Sequence, residues 1–128
     1  STTLREEQFK KFKETQAKVL DNTNWHGFLK IILGIGFKSS DLISSASNIA
    51  NAYILYLIAK DKFNFDHKEL EKNIGRWFFF SSVTSRYSTS PETQMEADLN
   101  FLKNAKDKDN FIELINESIN SELTNDFW

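Results

Sequence analysis

Apolar residues recur every three to four positions along most of this chain, which is the spacing of an amphipathic α-helix. No stretch outside these segments alternates apolar and polar residues as a strand would. The pattern predicts six helices, lying within residues 4–21, from Trp25 to Ile35, from Ala46 to Ile58, from Asp66 past Trp77, from Pro91 to Leu102 and from about Asn110 past Ile119. We therefore expect an all-α fold, a single compact bundle of about six helices formed by residues 1–128 as one domain.

Local signals predict where several of these helices begin and end. Asp66 followed by Glu69 has the spacing of a capping box, and Pro91 after Ser90 suits the first position of a helix. Gly34 and Gly36 supply positive-φ positions that end the second helix. Asp109 or Asn110 is expected to cap the last helix.

The fourth helix carries the densest aromatic sequence, Trp77-Phe78-Phe79-Phe80. Successive helical residues are about 100° apart, so Phe78 to Phe80 cover more than half of the circumference and predict a centrally buried helix. Ser81, Ser82, Thr84 and Ser85 follow, and their small side chains would let a neighbouring helix approach closely. If the helix stays regular, Arg76 and Tyr87 share one face, because eleven residues make about three turns.

Composition and charge narrow the functional classes. The chain has 128 residues, 40% hydrophobic and 27% charged, with a net charge of −2, so any contact with nucleic acid would need a local basic patch. The absence of cysteine excludes disulfides and thiolate metal sites and agrees with a cytoplasmic location, which we expect. The longest apolar window, Ile49–Ala59, has about half the length of the ~20 residues that span a membrane, so no membrane contact is expected.

The start of the sequence lacks a methionine and a signal sequence, which suggests a segment cut from a larger protein.

No residue constellation in the sequence would carry a reaction. His26 and His67 lie on different predicted elements and cannot form a helical metal pair. Asp66-His67-Lys68 matches the D-x-K half of a nuclease signature. That chemistry also needs an upstream acidic residue and a β-hairpin, which the sequence does not offer, so Asp66 is better explained as a helix cap. Gly34-Ile35-Gly36 lacks the third glycine and the strand of a phosphate-binding loop. We therefore predict that this chain is not an enzyme and holds no cofactor or metal ion.

Arg76, Arg86 and Tyr87 admit two interpretations. In the first, the guanidinium groups bind phosphates and Tyr87 stacks or forms hydrogen bonds at the same surface. In the second, Arg76 pairs with a carboxylate such as Glu96 or Asp98, and Tyr87 donates to a backbone carbonyl and fixes the turn into the next helix.

The stretch from Arg76 to Leu99 also carries a family resemblance. It contains Arg76-Trp77-Phe78-Phe79-Phe80, then Ser85-Arg86-Tyr87-Ser88, then Ser90-Pro91-Glu92-Thr93, and finally Ala97-Asp98-Leu99. In order and spacing these motifs resemble the helical region of the GmrSD-type restriction proteins, a bacterial family with a DGQQR motif in a ParB-like N-terminal domain. The segment from Trp25 to Tyr53 is similar to the region that precedes these motifs in that family, so the resemblance covers about residues 22–102.

The resemblance implies a role within a larger protein. Neither the DGQQR motif nor the downstream H-N-H nuclease motif of many relatives occurs here. By resemblance, the chain is a non-catalytic helical module between a nucleotide-using ParB-like domain and a nuclease or effector domain of a DNA-targeting restriction or phage-defence protein.

The motif residues that the resemblance carries over are Arg76, Arg86, Tyr87 and Ser88, and their implied role is either in nucleic-acid binding or in folding. The implied partners are other domains of the parent chain, DNA through the full-length protein, and a second copy through exposed apolar surface. The alternative is a stand-alone nucleic-acid-binding module that uses Arg76, Arg86 and nearby lysines.

Overall fold

The computed structural model describes residue 3 and residues 5–10, 21–36, 46–87 and 89–127, with side chains given up to residue 122. Within these residues every regular element is an α-helix, which confirms the predicted all-α bundle. The helices are α1 (Asn22–Gly34), α2 (Ala46–Asp61), α3 (His67–Val83), α4 (Pro91–Lys103) and α5 (Lys108–Phe127). Residues 5–10 are helical as well, in agreement with the helix predicted within residues 4–21, whose remainder lies outside the described residues.

Helices α1, α2 and α3 form an antiparallel series. The start of α1 meets the end of α2, where Lys60 donates a hydrogen bond to Asn24, and one turn further along the rings of Phe28 and Tyr56 lie 5.8 Å apart. Helix α3 follows α2 after a short turn and returns along it, so that Asn48 near the start of α2 donates to the Ser82 hydroxyl near the end of α3 at 2.6 Å. The hydroxyls of Ser81 and Ser82 bond to carbonyls of their own helix, as expected for small side chains at a close helix contact.

Helices α3 and α5 run in the same direction. Lys108 at the start of α5 contacts Glu69 at the start of α3 at 2.9 Å, and further along Arg76 donates to Asn116 at 2.7 Å. A parallel pair of helices needs a connection that returns along the bundle, and α4 provides it. The fold therefore brings the ends of α3 and α5 together close to the start of α4.

One cluster of buried apolar side chains has members from all five helices. Burial of each large apolar side chain contributes about 1.5–3 kcal/mol, so this cluster is the main source of stability. The largest fully buried apolar side chains are Trp77, Phe28, Phe78, Phe111, Ile32, Leu55, Ile74, Leu102 and Ile115.

The predicted helix boundaries are confirmed in some places and wrong in others. The capping box is present, because the Glu69 N–H donates to the Asp66 carboxylate at 2.8 Å and the Asp66 N–H donates back to Glu69 at 2.9 Å. Pro91 begins α4 as predicted, and Gly36 has the predicted positive φ, at 94°. The prediction of a positive φ at Gly34 is wrong, because Gly34 is the last residue of α1. The cap predicted for the last helix is wrong, because the Asn110 N–H donates to the Asp107 carboxylate at 2.8 Å, which makes Asp107 the capping residue.

The prediction of a centrally buried aromatic helix is wrong on one side of α3. Phe78 and Phe80 are buried, but Phe79 is 59% exposed. The physical reason is that α1, α2 and α5 pack around α3 and leave one of its faces without a neighbour among the described residues. Phe9, in the helical residues 5–10, is also 60% exposed.

Helix α3 ends before Tyr87, so the prediction that Arg76 and Tyr87 share a helix face is wrong. Ser85 has a φ of 53°, which is the left-handed conformation. The residue that adopts this conformation after the end of a helix is usually glycine. The N–H of Arg86 donates to the Ser81 carbonyl at 3.1 Å, and the N–H of Ser85 donates to the Ser82 carbonyl at 3.3 Å. This is a Schellman motif, and it turns Arg86 and Tyr87 away from the helix and towards α4.

Candidate functional site

Asp98 on α4 is the centre of the most elaborate polar arrangement in the described part of the chain. Arg86 donates to both carboxylate oxygens, from Nε to Oδ2 at 2.9 Å and from Nη2 to Oδ1 at 2.7 Å. The Tyr87 hydroxyl donates to Oδ2 at 2.7 Å, and the Gln94 amide donates to Oδ1 at 3.1 Å. We call Asp98, Arg86, Tyr87, Gln94 and Asn51 the Asp98 cluster.

Asn51 reaches the Asp98 cluster from α2 and connects it to the core. Its amide nitrogen donates to the Tyr87 hydroxyl oxygen, whose own proton is used in the bond to Asp98. The Tyr87 oxygen can therefore only accept here, which fixes the orientation of the Asn51 amide. Asn51 is fully buried and Tyr87 is 6% exposed. The turn after α3, α4 and the middle of α2 are thus tied together by one chain of hydrogen bonds.

Burial and charge act together on the groups of the cluster. Burial, the hydrogen bond to Asp98 and the charge of Asp98 raise the pKa of the Tyr87 hydroxyl well above its usual range, although Trp77 and Arg86 act in the opposite direction. Burial by itself would lower the pKa of the Arg86 guanidinium, but the hydrogen bond and charge of Asp98 outweigh it, and the pKa is raised. Tyr87 and Arg86 therefore keep their protons across the physiological pH range.

The geometry leaves Asp98 no capacity for further ligands. An ionised carboxylate has about four acceptor positions, and the four donors described above occupy two on each oxygen. Arg86 is equally engaged, because its Nη1 lies 3.4 Å from Glu122 on α5 and its guanidinium carbon lies 5.6 Å from the Trp77 ring and 5.5 Å from the Phe80 ring. A general base or a metal ligand needs a free lone pair, and Asp98 has none in this arrangement. The arrangement therefore fits a structural role, in which it fixes the turn after α3, better than a catalytic role.

The structure separates the motif residues that the sequence analysis grouped. Arg86 and Tyr87 lie in the Asp98 cluster, whereas Arg76 lies on the exposed side of α3 and donates to Asn116. The second interpretation of these residues therefore named the wrong partners: Asp98 pairs with Arg86 rather than Arg76, and Tyr87 donates to a carboxylate rather than to a backbone carbonyl. Ser88 lies outside the described residues.

Sequence reasoning did not identify Asn51 and Gln94 as members of this site. Gln94 and Asp98 are four positions apart on one helix, a spacing that brings side chains together, so this contact had a detectable signal. Asn51 had a weaker one, because it is a polar residue among the apolar positions of α2, and a buried amide needs a polar partner.

The described residues contain no group of three or more His, Cys, Asp or Glu side chains arranged to hold a metal ion. None of their helices combines the length and the apolar character that a membrane-spanning segment requires.

Comparisons of the chain with protein-family models, with curated proteins and with solved structures find no match.

Proposed function

We propose that this chain is a non-catalytic helical module of a bacterial DNA-targeting restriction or phage-defence protein. In this role it supports a nucleotide-using ParB-like domain in the cytoplasm and couples it to a nuclease or effector domain. The proposal starts from the resemblance of Arg76 to Leu99 to the helical region of GmrSD-type proteins. It assigns the chain a structural and docking role and no reaction of its own.

The contact of Arg86 and Tyr87 with Asp98 is the observation that best supports the proposal. All three are motif positions of the resemblance, and they come from two motifs that are separated in sequence. A module that transmits force or movement between domains needs a rigid connection between its helices. The saturated carboxylate and the buried tyrosine supply such a connection between α3 and α4.

The alternative is a stand-alone module that binds nucleic acid through Arg76, Arg86 and nearby lysines. The Arg86 side chain is only 13% exposed and already donates to two carboxylates. Phosphate contacts in this alternative would therefore depend on Arg76 and the lysines.

Sequencing of the complete reading frame that contains this chain tests the family. We expect a DGQQR motif upstream of Ser1 in the same frame. A frame that encodes a different type of domain upstream would refute the proposed family, whatever the isolated chain binds.

A titration with fluorescently labelled duplex DNA separates the two functions. The isolated chain is titrated at about 50 mM and 200 mM salt, because phosphate contacts weaken steeply over this range. The proposed module shows no binding at either concentration. Binding at low salt that is lost in Arg76→Ala would favour the nucleic-acid-binding alternative.

A further inference from the structure

One face of α3 remains uncovered by the described residues and combines two cations with two apolar side chains. Lys72, Arg76, Phe79 and Val83 are spaced by four, three and four positions, so they lie along one side of the helix. All four are exposed, Phe79 by 59% and Val83 by 55%. We call these four residues the α3 face.

The α3 face is shaped by two shallow depressions that meet at Arg76 and Phe79. The first has Phe80 of α3 and Ile119 of α5 as its floor and continues to Val83 and Thr84. The second lies over Gly75, beside Ile35 at the end of α1. Both have predominantly apolar linings, and the absence of a side chain at Gly75 lowers the floor of the second. Such a surface can receive the side chains of a helix laid across it.

The charges on this face have one predominant sign. Among the described residues neither Lys72 nor Arg76 forms an ion pair, and Arg76 uses Nη1 for the neutral Asn116. Glu71 is the one acidic residue among those that line the two depressions, and it lies 3.8 Å from His67 on the same helix. The rim is therefore positive on a chain whose net charge is −2.

This charge distribution argues against a second copy of the chain as the occupant. In a two-fold dimer the same patch meets itself, so two copies each of Lys72 and Arg76 would enter one interface. Among the residues that line the two depressions, only the two Glu71 carboxylates would offset these four cations. An occupant with carboxylates at the corresponding positions would gain electrostatic attraction.

We propose that the α3 face binds an acidic amphipathic helix of another domain or protein. Its apolar residues, at spacings of three and four, pack against Phe79, Val83 and the two depressions, and its carboxylates pair with Lys72 and Arg76. This proposal rests on the proposed function, because it names the chemistry of the partner that the module couples to.

A peptide selection against the whole chain tests this chemistry. The library displays 16-residue peptides with leucine at helical spacing and Asp, Glu, Lys, Arg or Ser at the flanking positions. Peptides are selected on the wild-type chain and depleted on Phe79→Ser. We expect the enriched peptides to be acidic, and we expect the double variant Lys72→Glu, Arg76→Glu to enrich basic peptides instead.

Binding measurements then use the best enriched peptide with a fluorescent label. Arg76→Glu should weaken its binding by about tenfold or more in fluorescence anisotropy. Phe101→Ser is the matched control, because Phe101 is an aromatic residue on α4 that is 44% exposed and lines neither depression. It should leave binding unchanged. Circular dichroism of each variant establishes that the helices are intact.

Three results would overturn the proposal. They are enrichment of peptides without an acidic preference, no enrichment after depletion on Phe79→Ser, and a monomer–dimer equilibrium in sedimentation that Phe79→Ser weakens and Phe101→Ser does not. The last result would assign the face to a second copy. None of them affects the reading-frame test, so the proposed family and the acidic partner can fail separately.

Discussion

Arg86 and Asp98 lie twelve positions apart in sequence and meet side on, with two nearly parallel hydrogen bonds of 2.9 and 2.7 Å. The exposed fraction is 13% for the Arg86 side chain and 6% for that of Asp98. A bidentate pair with so little solvent around it fixes both position and angle, because the planar guanidinium matches the carboxylate only in one plane. It sets the geometry of the turn between α3 and α4.

Removal of Asp98 should destabilise the protein strongly. Asp98→Ala leaves the Arg86 charge buried without its main partner and leaves Tyr87 without its acceptor, so we expect a loss of about 3–5 kcal/mol in the free energy of unfolding. Urea denaturation followed by circular dichroism measures it. Glu71→Ala is the control, because it removes the carboxylate of an exposed pair with His67 and should change little. If Asp98→Asn proved as stable as the wild type, the charge of Asp98 would not be what matters.

Stability should decrease above pH 10, and Tyr87 should account for much of the decrease. Tyrosine in the unfolded chain ionises near pH 10, whereas burial and Asp98 raise the pKa of Tyr87 in the folded chain. Its contribution is fully present below pH 10 and is lost as the pH rises, because the unfolded chain then releases a proton that the folded chain retains. For one proton the slope is about 1.4 kcal/mol per pH unit.

Tyr87→Phe should reduce the slope of the free energy of unfolding against pH in this alkaline range, because one proton fewer is released on unfolding. Urea denaturation at pH values from 8 to 11 measures this slope. Tyr53→Phe is the comparison, because burial and the charge of Asp21 raise the pKa of Tyr53, whereas Tyr87 donates a hydrogen bond to the carboxylate of Asp98. An equal change in both variants would contradict the special position of Tyr87.

Gly27 should not tolerate alanine while Tyr56 retains its hydroxyl. A Cβ at Gly27 would lie 2.5 Å from the Tyr56 hydroxyl oxygen, and the Tyr56 side chain is buried and has little room to move. We expect Gly27→Ala to cost about 1–3 kcal/mol by thermal or urea denaturation. Gly34→Ala is the matched control, since nothing lies within 4 Å of its Cβ, and it should be neutral or stabilising.

A second substitution isolates the cause of this cost. In a Tyr56→Phe background the close oxygen is absent and the next ring atom lies 3.6 Å from the Gly27 Cβ position. Gly27→Ala should then be tolerated, because alanine favours the helix and the clash is gone. A cost that persists in this background would mean that something other than the hydroxyl excludes a side chain at Gly27.

Ser85→Gly should stabilise the protein. Ser85 has a φ of 53°, which is unfavourable for a residue with a Cβ and ordinary for glycine. We expect a gain of up to about 1 kcal/mol in the free energy of unfolding. Ser118→Gly, within α5, should have the opposite sign, because glycine inside a helix costs about 0.5–1 kcal/mol. A loss of stability in Ser85→Gly would show that the serine side chain contributes more than the strain costs.

The helices and several of their ends could be predicted because their causes are local. The capping box of Asp66 and Glu69 and the proline at the start of α4 depend on residues within one turn, and both are confirmed. The exposure of Phe79 could not be predicted, because three consecutive phenylalanines do not indicate which side of the helix lacks a neighbour. The same holds for the end of α3, where serine rather than glycine adopts the left-handed conformation and removes the usual signal.

The candidate site was only partly predictable, because its residues are close in space and distant in sequence. The spacing of Arg86, Tyr87 and Asp98 indicated a motif but left open which arginine the carboxylate would contact. The answer depends on the turn at Ser85, which decides that Arg86 rather than Arg76 approaches α4. Asn51 joins through α2, 36 positions away from Tyr87, and only the packed bundle brings these two residues together.

The shared direction of α3 and α5 has a consequence for how the protein is made. The hydrogen bonds between these helices join residues 39 and 40 positions apart, so a ribosome must release α5 before either of them can close. Until then the growing chain carries α3 with its α5 side, including Phe80, open to water and to other nascent proteins. Of the five helices described, α5 is therefore synthesised last and completes this bundle, and a premature stop within α5 would produce a chain prone to aggregation.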